Sequence, residues 1–323
     1  MFEMLIKRSL QSVLVIFIMS LLAFVGINLV GNPIYLLVAP NASPAEIAEA
    51  SHALGLDLPV YAQYWRFLVN ALHGDLGNSF VFNQPAISLI FERMPATLEL
   101  AGAALVLSFL IGVPLGMWAG LRPGSKVHKL AMGFSILGVT IPSFWLGLIL
   151  ILVFAVNLGW FPSGGRGPTT SLLGIQISFL NLDGLRYLVL PAATLALHNI
   201  ALVMRMTEAG TREVALQEYV KFARAKGVGA VRLMLRHVAP NVMIPIVTVM
   251  GLEFGQLIAF SLITETIFAW PGMGKLIVDS VLQLDRPVVV AYLMVVLVIF
   301  VLINFVVDIL YLILDPRLRA KST

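Results

Sequence analysis

The stretch Leu130–Phe161, LAMGFSILGVTIPSFWLGLILILVFAVNLGWF, decides the fold class. It runs for 32 residues without an Asp, Glu, Lys or Arg. As one α-helix it would be about 48 Å long, against about 30 Å for the hydrocarbon core of a bilayer. It is too long for a single straight span, so it is expected to tilt, to kink near Pro142 or to leave the bilayer before Gly159.

Five further apolar runs flank it: Ser9–Val30, Leu100–Leu121, Tyr187–Met204, Val242–Ile263 and Val288–Leu314. A spanning helix needs about 20 predominantly apolar residues, so six spans are expected, the fourth being the shortest. Composition agrees: 59% of the 323 residues are hydrophobic and 12% charged, whereas soluble domains carry about 25% charged residues. That excludes a disordered chain, and a soluble monomer would have too few charges to cover its surface. Cysteine is absent, which removes disulfides, thiol nucleophiles, iron–sulfur clusters and cysteine–zinc sites. Lys7 and Arg8 before an apolar run resemble the start of a signal peptide, but 22 residues exceed a removable apolar core of about 7 to 15. The run is read as a retained first span.

The basic residues divide unevenly between the loops. With the N-terminus inside, fifteen Lys and Arg fall on the cytoplasmic side and six on the other, so both termini are expected in the cytoplasm. The net charge of +4 then reflects topology and gives no support to nucleic-acid binding. The outer loop 31–97 is acidic and too long for a connector. It is read as a helical cap: Ser43-Pro44-Ala45-Glu46 is a helix start, and Val60–Leu72 puts Tyr61, Tyr64, Trp65 and Leu68 on one face, at lipid headgroup level.

The inner loop 205–241 is the most informative for function. It reads as two short helices. Tyr219, Phe222 and Ala223 share a face of the first, Gly227 ends it, and Val231, Met234, Leu235 and Val238 follow at helical spacing until Pro240 closes the second. The product is a basic knob. Spacing alone also fits a segment lying on anionic lipid.

The residues themselves carry a resemblance. Glu218-Tyr219-Val220-Lys221-Phe222-Ala223-Arg224-Ala225-Lys226-Gly227, with His237, Pro240 and Asn241 after it, resembles the cytoplasmic signature of permease subunits of ATP-binding-cassette importers, in their peptide/nickel branch. Further matches are Leu54-Gly55-Leu56-Asp57, Gly74-Asp75-Leu76-Gly77, Pro95-Ala96-Thr97-Leu98-Glu99-Leu100, Glu265 to Gly274, and Asp308 with Tyr311 and Asp315-Pro316-Arg317. Gly31-Asn32-Pro33 departs from the usual Gly-Asp-Pro.

The resemblance implies an all-α permease, 1–323 as one domain, with six transmembrane helices. It has an outer cap (31–97) between spans 1 and 2, a coupling loop (205–241) between spans 4 and 5, and a last outer loop (264–287). It is most like the first permease of dipeptide or oligopeptide systems, in a bacterial-type inner membrane. It implies partners: a second permease, two ATPase subunits holding ATP and Mg, and a periplasmic or lipid-anchored substrate-binding protein. Glu218, Tyr219, Lys221, Phe222, Ala223, Arg224, Ala225, Lys226 and Gly227 are the ATPase-coupling residues it implies. The same machinery would serve nickel chelate, glutathione or another small solute. The chain itself is not read as an enzyme: Gly124-Ser125-Lys126 lacks the upstream glycine spacing of a phosphate-binding loop. The competing class is a self-sufficient secondary transporter, which calls for paired broken helices in two repeats, or an intramembrane protease, which calls for His-Glu-x-x-His; neither pattern is found.

Glu253 is the acid in the middle of a span. With Gln256 it is a candidate for the translocation path, the alternative being a packing contact. His198 and Asn304 are read as buried helix-to-helix hydrogen-bonding groups, and no ligand set is spaced for a metal. Glu265 and Asp279 are read as solvated loop acids by default; Glu265, Trp270 and Pro271 are also candidates for a re-entrant substrate entrance. Gly112, Gly116 and Gly120 permit close approach of an unspecified helix.

Overall fold

The computed structural model describes residues 2–29, 42–54, 57–172 and 174–314. Gly31-Asn32-Pro33, Gly55-Leu56, Asp315-Pro316-Arg317, Arg319 and Lys321 lie outside them. The Cα packing divides the chain into two units, Met1–Met94 with Leu276–Val301, and Pro95–Lys275 with Leu302–Thr323.

In the first unit, α1 (Phe2–Leu29) carries the first apolar run as far as Leu29 and leaves Leu10, Val13, Leu14 and Leu22 exposed, as a lipid-facing helix does. α2 (Pro44–Leu54) begins on a reciprocal capping box: the Ser43 backbone N–H and hydroxyl donate to Glu46 Oε2 at 2.7 and 2.9 Å, and Glu46 N–H donates to Ser43 Oγ at 3.3 Å. α3 (Val60–Leu72) splits the expected aromatic face. Tyr64 turns inward, its ring edge-on to Phe17 and Phe24 and its hydroxyl 2.9 Å from Ser20 Oγ, while Tyr61 and Trp65 point outward. Asp285 is fully buried, taking hydrogen bonds from the Ser79 hydroxyl and from Phe80 N–H at 3.0 Å.

α4 (Ala86–Leu121) begins well before its apolar run and enters the second unit at Pro95. Pro95 and Pro114 both lie inside this helix. Its glycine stripe meets α7 (Leu182–Ala215). A Cβ on Gly116 would lie 2.5 Å from Met204 O, and one on Gly120 would lie 2.7 Å from Glu208 O. Only hydrogen fits there, which identifies the helix that the sequence left unspecified.

The 32-residue run is broken. α5 (Lys126–Thr140), capped by Ser125, and α6 (Ser143–Leu150), which continues as a π-helix over Ile151–Asn157, meet at 105°. Pro142 lies in the break, and a residue before proline is driven out of the α region; Ile141 is extended at φ −73, ψ 122. The pair runs along α7: His128 at the start of α5 lies 3.7 Å from Glu208, a Cβ on Gly138 would meet Ala201, and one on Gly147 of α6 would meet Thr194. At one end Arg166, beyond α6, binds Glu99, and Gly165 N–H donates to Phe268 O. At the other, Gly120 abuts Glu208, and Val242 is 3.5 Å from a Cβ built on Gly210. The 22-residue run Leu100–Leu121 separates the two levels. Among the described residues five single helices are long and apolar enough to cross a membrane, and the bent pair makes a sixth when counted as one span.

A short antiparallel hairpin, β1 (Thr170–Leu172) with β2 (Ile175–Ile177), departs from an all-helical expectation without changing the class. α7 extends to Ala215, eleven residues past the expected end of its span. α8 (Glu218–Ala225), α9 (Ala230–Leu233), a π-helix (Met234–Val238) and α10 (Ala239–Ile267) follow. α11 (Met273–Leu282) and α12 (Arg286–Leu314) complete the chain's described helices.

Candidate functional site

The knob is built on α8. Val220 and Ala223 are its buried pair, packed with Leu233, Val238 and Val242 against Val113 and Met117 of α4. This corrects the expected face: Tyr219 and Phe222 point out, Phe222 at 62% exposure. Tyr219 OH donates to His237 O at 3.1 Å and accepts from Asn241 Nδ2 at 2.8 Å, so it ties the first short helix to the start of α10.

Gly227 ends α8 in a Schellman turn. Val228 N–H reaches back to Ala223 O at 3.2 Å and Gly227 N–H to Arg224 O at 3.0 Å, with Gly227 at φ +78. A Cβ there would meet nothing within 4 Å, so the glycine serves conformation alone.

The second helix differs from its expected pattern. Val231 and Leu235 are exposed, and Leu233 and Val238 are buried. A π turn sets side chains five apart on one face, which the 3.6-residue period does not foresee. Pro240 does not close this helix, because the wide turn lies where its ring would strike the carbonyl four residues back. Glu218 pairs with Lys221 Nζ at 2.8 Å, and Lys226 Nζ sits 4.4 Å from the Phe222 ring. Arg224 and Ala225 are exposed. The surface left outward is therefore apolar, Leu216, Tyr219, Phe222, Val231 and Leu235, among basic residues.

Glu253 and Gln256 line one cavity of about 350 Å³, shared with Thr194, His198 and Asn199. Glu253 is half-buried. His198 is exposed on the cavity wall, which corrects its expected burial between helices, and Asn304 is half-buried.

Of the two expected loop acids, Glu265 is not solvated and Asp279 keeps only part of its exposure. Glu265 belongs to the last turn of α10 and is fully buried, accepting from Thr97 Oγ1 at 2.7 Å, Ser261 Oγ at 3.0 Å and Lys275 N–H at 2.9 Å. Asp279 is half-buried in α11. Trp270 is fully buried, its Nε1–H on Ala96 O at 2.9 Å, and Pro271 is half-buried beside it. A buried acid was invisible here because the apolar run stops at Ile263 and the glycines after it read as a loop.

Sequence reasoning missed the pair Glu99 and Arg166. Arg166 donates through Nε at 3.0 Å and Nη2 at 2.6 Å to Glu99 Oε2, while Oε1 takes Ser178 N–H, its hydroxyl, and Phe179 N–H. The usable signal was an acid at the mouth of an apolar run, where charge requires a partner.

Residues 112–320 match the family described as binding-protein-dependent transport system inner membrane component, and residues 1–101 match its N-terminal region. The chain is 38% identical to the oligopeptide transport system permease protein AppB of Bacillus subtilis (strain 168), over 97% of this chain and 98% of that one. It is 40% identical to the di/tripeptide transport system permease protein DppB of Pseudomonas aeruginosa (strain UCBPP-PA14), over 93% and 94%. To the glutathione transport system permease protein GsiC of Escherichia coli O6:H1 the identity is 37%, over 99% and 100%. Among solved structures, an inward-facing MetNI methionine ABC transporter chain aligns with a TM-score of 0.55 at 18% identity, covering 70% of this chain and 96% of that one, a likeness of fold.

Proposed function

The chain belongs to the family of binding-protein-dependent transport system inner membrane components, and we propose that it forms half of the translocation path of an ATP-driven importer of dipeptides or oligopeptides. It is a multi-pass membrane permease, one permease domain with outer cap, coupling loop and last outer loop at 31–97, 205–241 and 264–287. A second homologous permease supplies the other half of the path. Two ATPase subunits hold ATP and Mg and perform the hydrolysis, and an outer binding protein delivers cargo. The charge split supports placing both termini and the knob in the cytoplasm.

One observation carries the coupling role: α8 buries Val220 and Ala223 in its own bundle and turns Tyr219 and Phe222 outward on a turn fixed by Gly227. Apolar groups held rigidly on a water-facing loop are the composition of a docking surface. In this reading closure of the ATPases moves the two knobs together. Because α8 is packed on α4 and α10, the movement reaches the spans and opens the cavity outward; hydrolysis resets it. Glu265 and Trp270 as buried struts, with half-buried Pro271 beside them, shape the outer entrance without touching cargo.

The relatives named for oligopeptides, di/tripeptides and glutathione share a small peptide as cargo, which supports the same class here. Reconstitution in liposomes with two ATPase subunits, the second permease and the binding protein tests the proposal. Labelled dipeptide should accumulate only with ATP and binding protein. Accumulation by this chain alone on an ion gradient would instead establish a secondary transporter.

A further inference from the structure

We infer that the cavity beside Glu253 is an ammonium subsite that holds the amino terminus of the passing peptide, an assignment that rests on the peptide-import reading. Its polar lining offers several acceptors. Glu253 brings a carboxylate, and Asn199, 4% exposed, brings a buried Oδ1 with no hydrogen-bond partner. Thr194 spends its hydroxyl hydrogen on Leu190 O at 2.9 Å, so only its lone pairs face outward. Ser143, Gln256 and His198 complete the polar wall, and neither Lys nor Arg lines it.

A buried acceptor without a donor costs free energy until a ligand supplies one. A carboxylate in a span requires compensation by a cation or by donors. A primary ammonium meets both requirements at once, since it carries positive charge and three N–H donors. A carboxylate group would face the Glu253 carboxylate and find neither Lys nor Arg, the titratable base of the lining being His198. The volume of about 350 Å³ is at the small end of ligand pockets, suited to one end of a peptide with Phe260 and its apolar neighbours against the first side chain.

The test uses the complete transporter in liposomes with its binding protein. Uptake of a dipeptide with a free amino terminus is divided by uptake of its N-acetyl analogue, for wild type, Glu253→Gln and Asn199→Asp. Discrimination by the binding protein is common to all three and cancels when the ratios are compared. Glu253→Gln should lower the ratio about tenfold, the effect of one lost charge-assisted hydrogen bond. Asn199→Asp, which adds a negative charge at the same shape, should raise it. Complex abundance is measured in parallel, and if Glu253→Gln assembles poorly, Asn199→Asp decides alone. Ratios unmoved at normal abundance would overturn the subsite while leaving peptide import standing. If wild type takes up neither peptide, the import reading falls and the subsite with it.

Discussion

Replacing Gly227 by alanine isolates the contribution of one backbone dihedral to coupling. A Cβ at this position meets nothing within 4 Å, so neither clash nor lost contact enters. What remains is the cost of holding an L-residue at φ +78, about 1 to 2 kcal/mol. If the knob must keep its Schellman turn to seat in an ATPase groove, that cost is drawn from association, which weakens by about fivefold to thirtyfold. Asparagine tolerates the left-handed region better, so Gly227→Asn should lose distinctly less. The assay is binding of the purified ATPase subunits to the permease pair in nanodiscs, with membrane insertion and abundance as controls. Insertion should be unchanged in both variants. Equal affinity for wild type, alanine and asparagine would refute the claim that this turn sets the docking geometry. So would a loss for asparagine as large as that for alanine.

Other perturbations probe the scaffold. Arg166→Met leaves the buried Glu99 without its ion-pair partner, held by the Ser178 and Phe179 donors, and should cost about 3 kcal/mol, read as a drop in thermal stability; the double variant with Glu99→Leu should recover only part, because Ser178 and Phe179 lose their acceptor. Gly116→Ala drives a methyl to 2.5 Å from Met204 O and should destabilise by about 1 to 3 kcal/mol, while Gly102→Ala, with open space around it, should not. The Ser43 N–H and hydroxyl hold the Glu46 carboxyl below its ordinary pKa of 4.5. A depressed folded-state pKa gives stability that is present above that value and lost as pH falls through the folded one. Hydrogen-exchange protection factors at the start of α2 should therefore fall only in acid, and Glu46→Gln should flatten the profile.

The spans were legible because a bilayer requires long apolar runs, and Leu130–Phe161 announced its break through length and Pro142. Gly227 was legible because a helix end with positive φ selects glycine. The knob's outward face was not, since a π turn replaces the 3.6-residue period between Leu233 and Val238. Glu99, Glu265 and Asp285 were missed as buried acids for another reason. Each is satisfied by donors distant in sequence, Arg166, Thr97 and Ser79, and such pairings have no local signature. Glu253 stood out as a lone acid in a span, yet its cavity partners Thr194 and Asn199 come from α7 and needed the fold to be seen.

The central claim is that the face carrying Phe222 seats an ATPase subunit. A cysteine-reactive photocrosslinker placed at Phe222→Cys, in a chain with no native cysteine, tests it in native membranes that contain the complete transporter. The account predicts a crosslink to an ATPase subunit whose yield changes on ATP binding. It also predicts no such crosslink from a probe at Ser171→Cys, in the hairpin loop joined to Glu99 at the other end of the second unit. Capture of lipid alone at Phe222, with ATPase present and active, would contradict it.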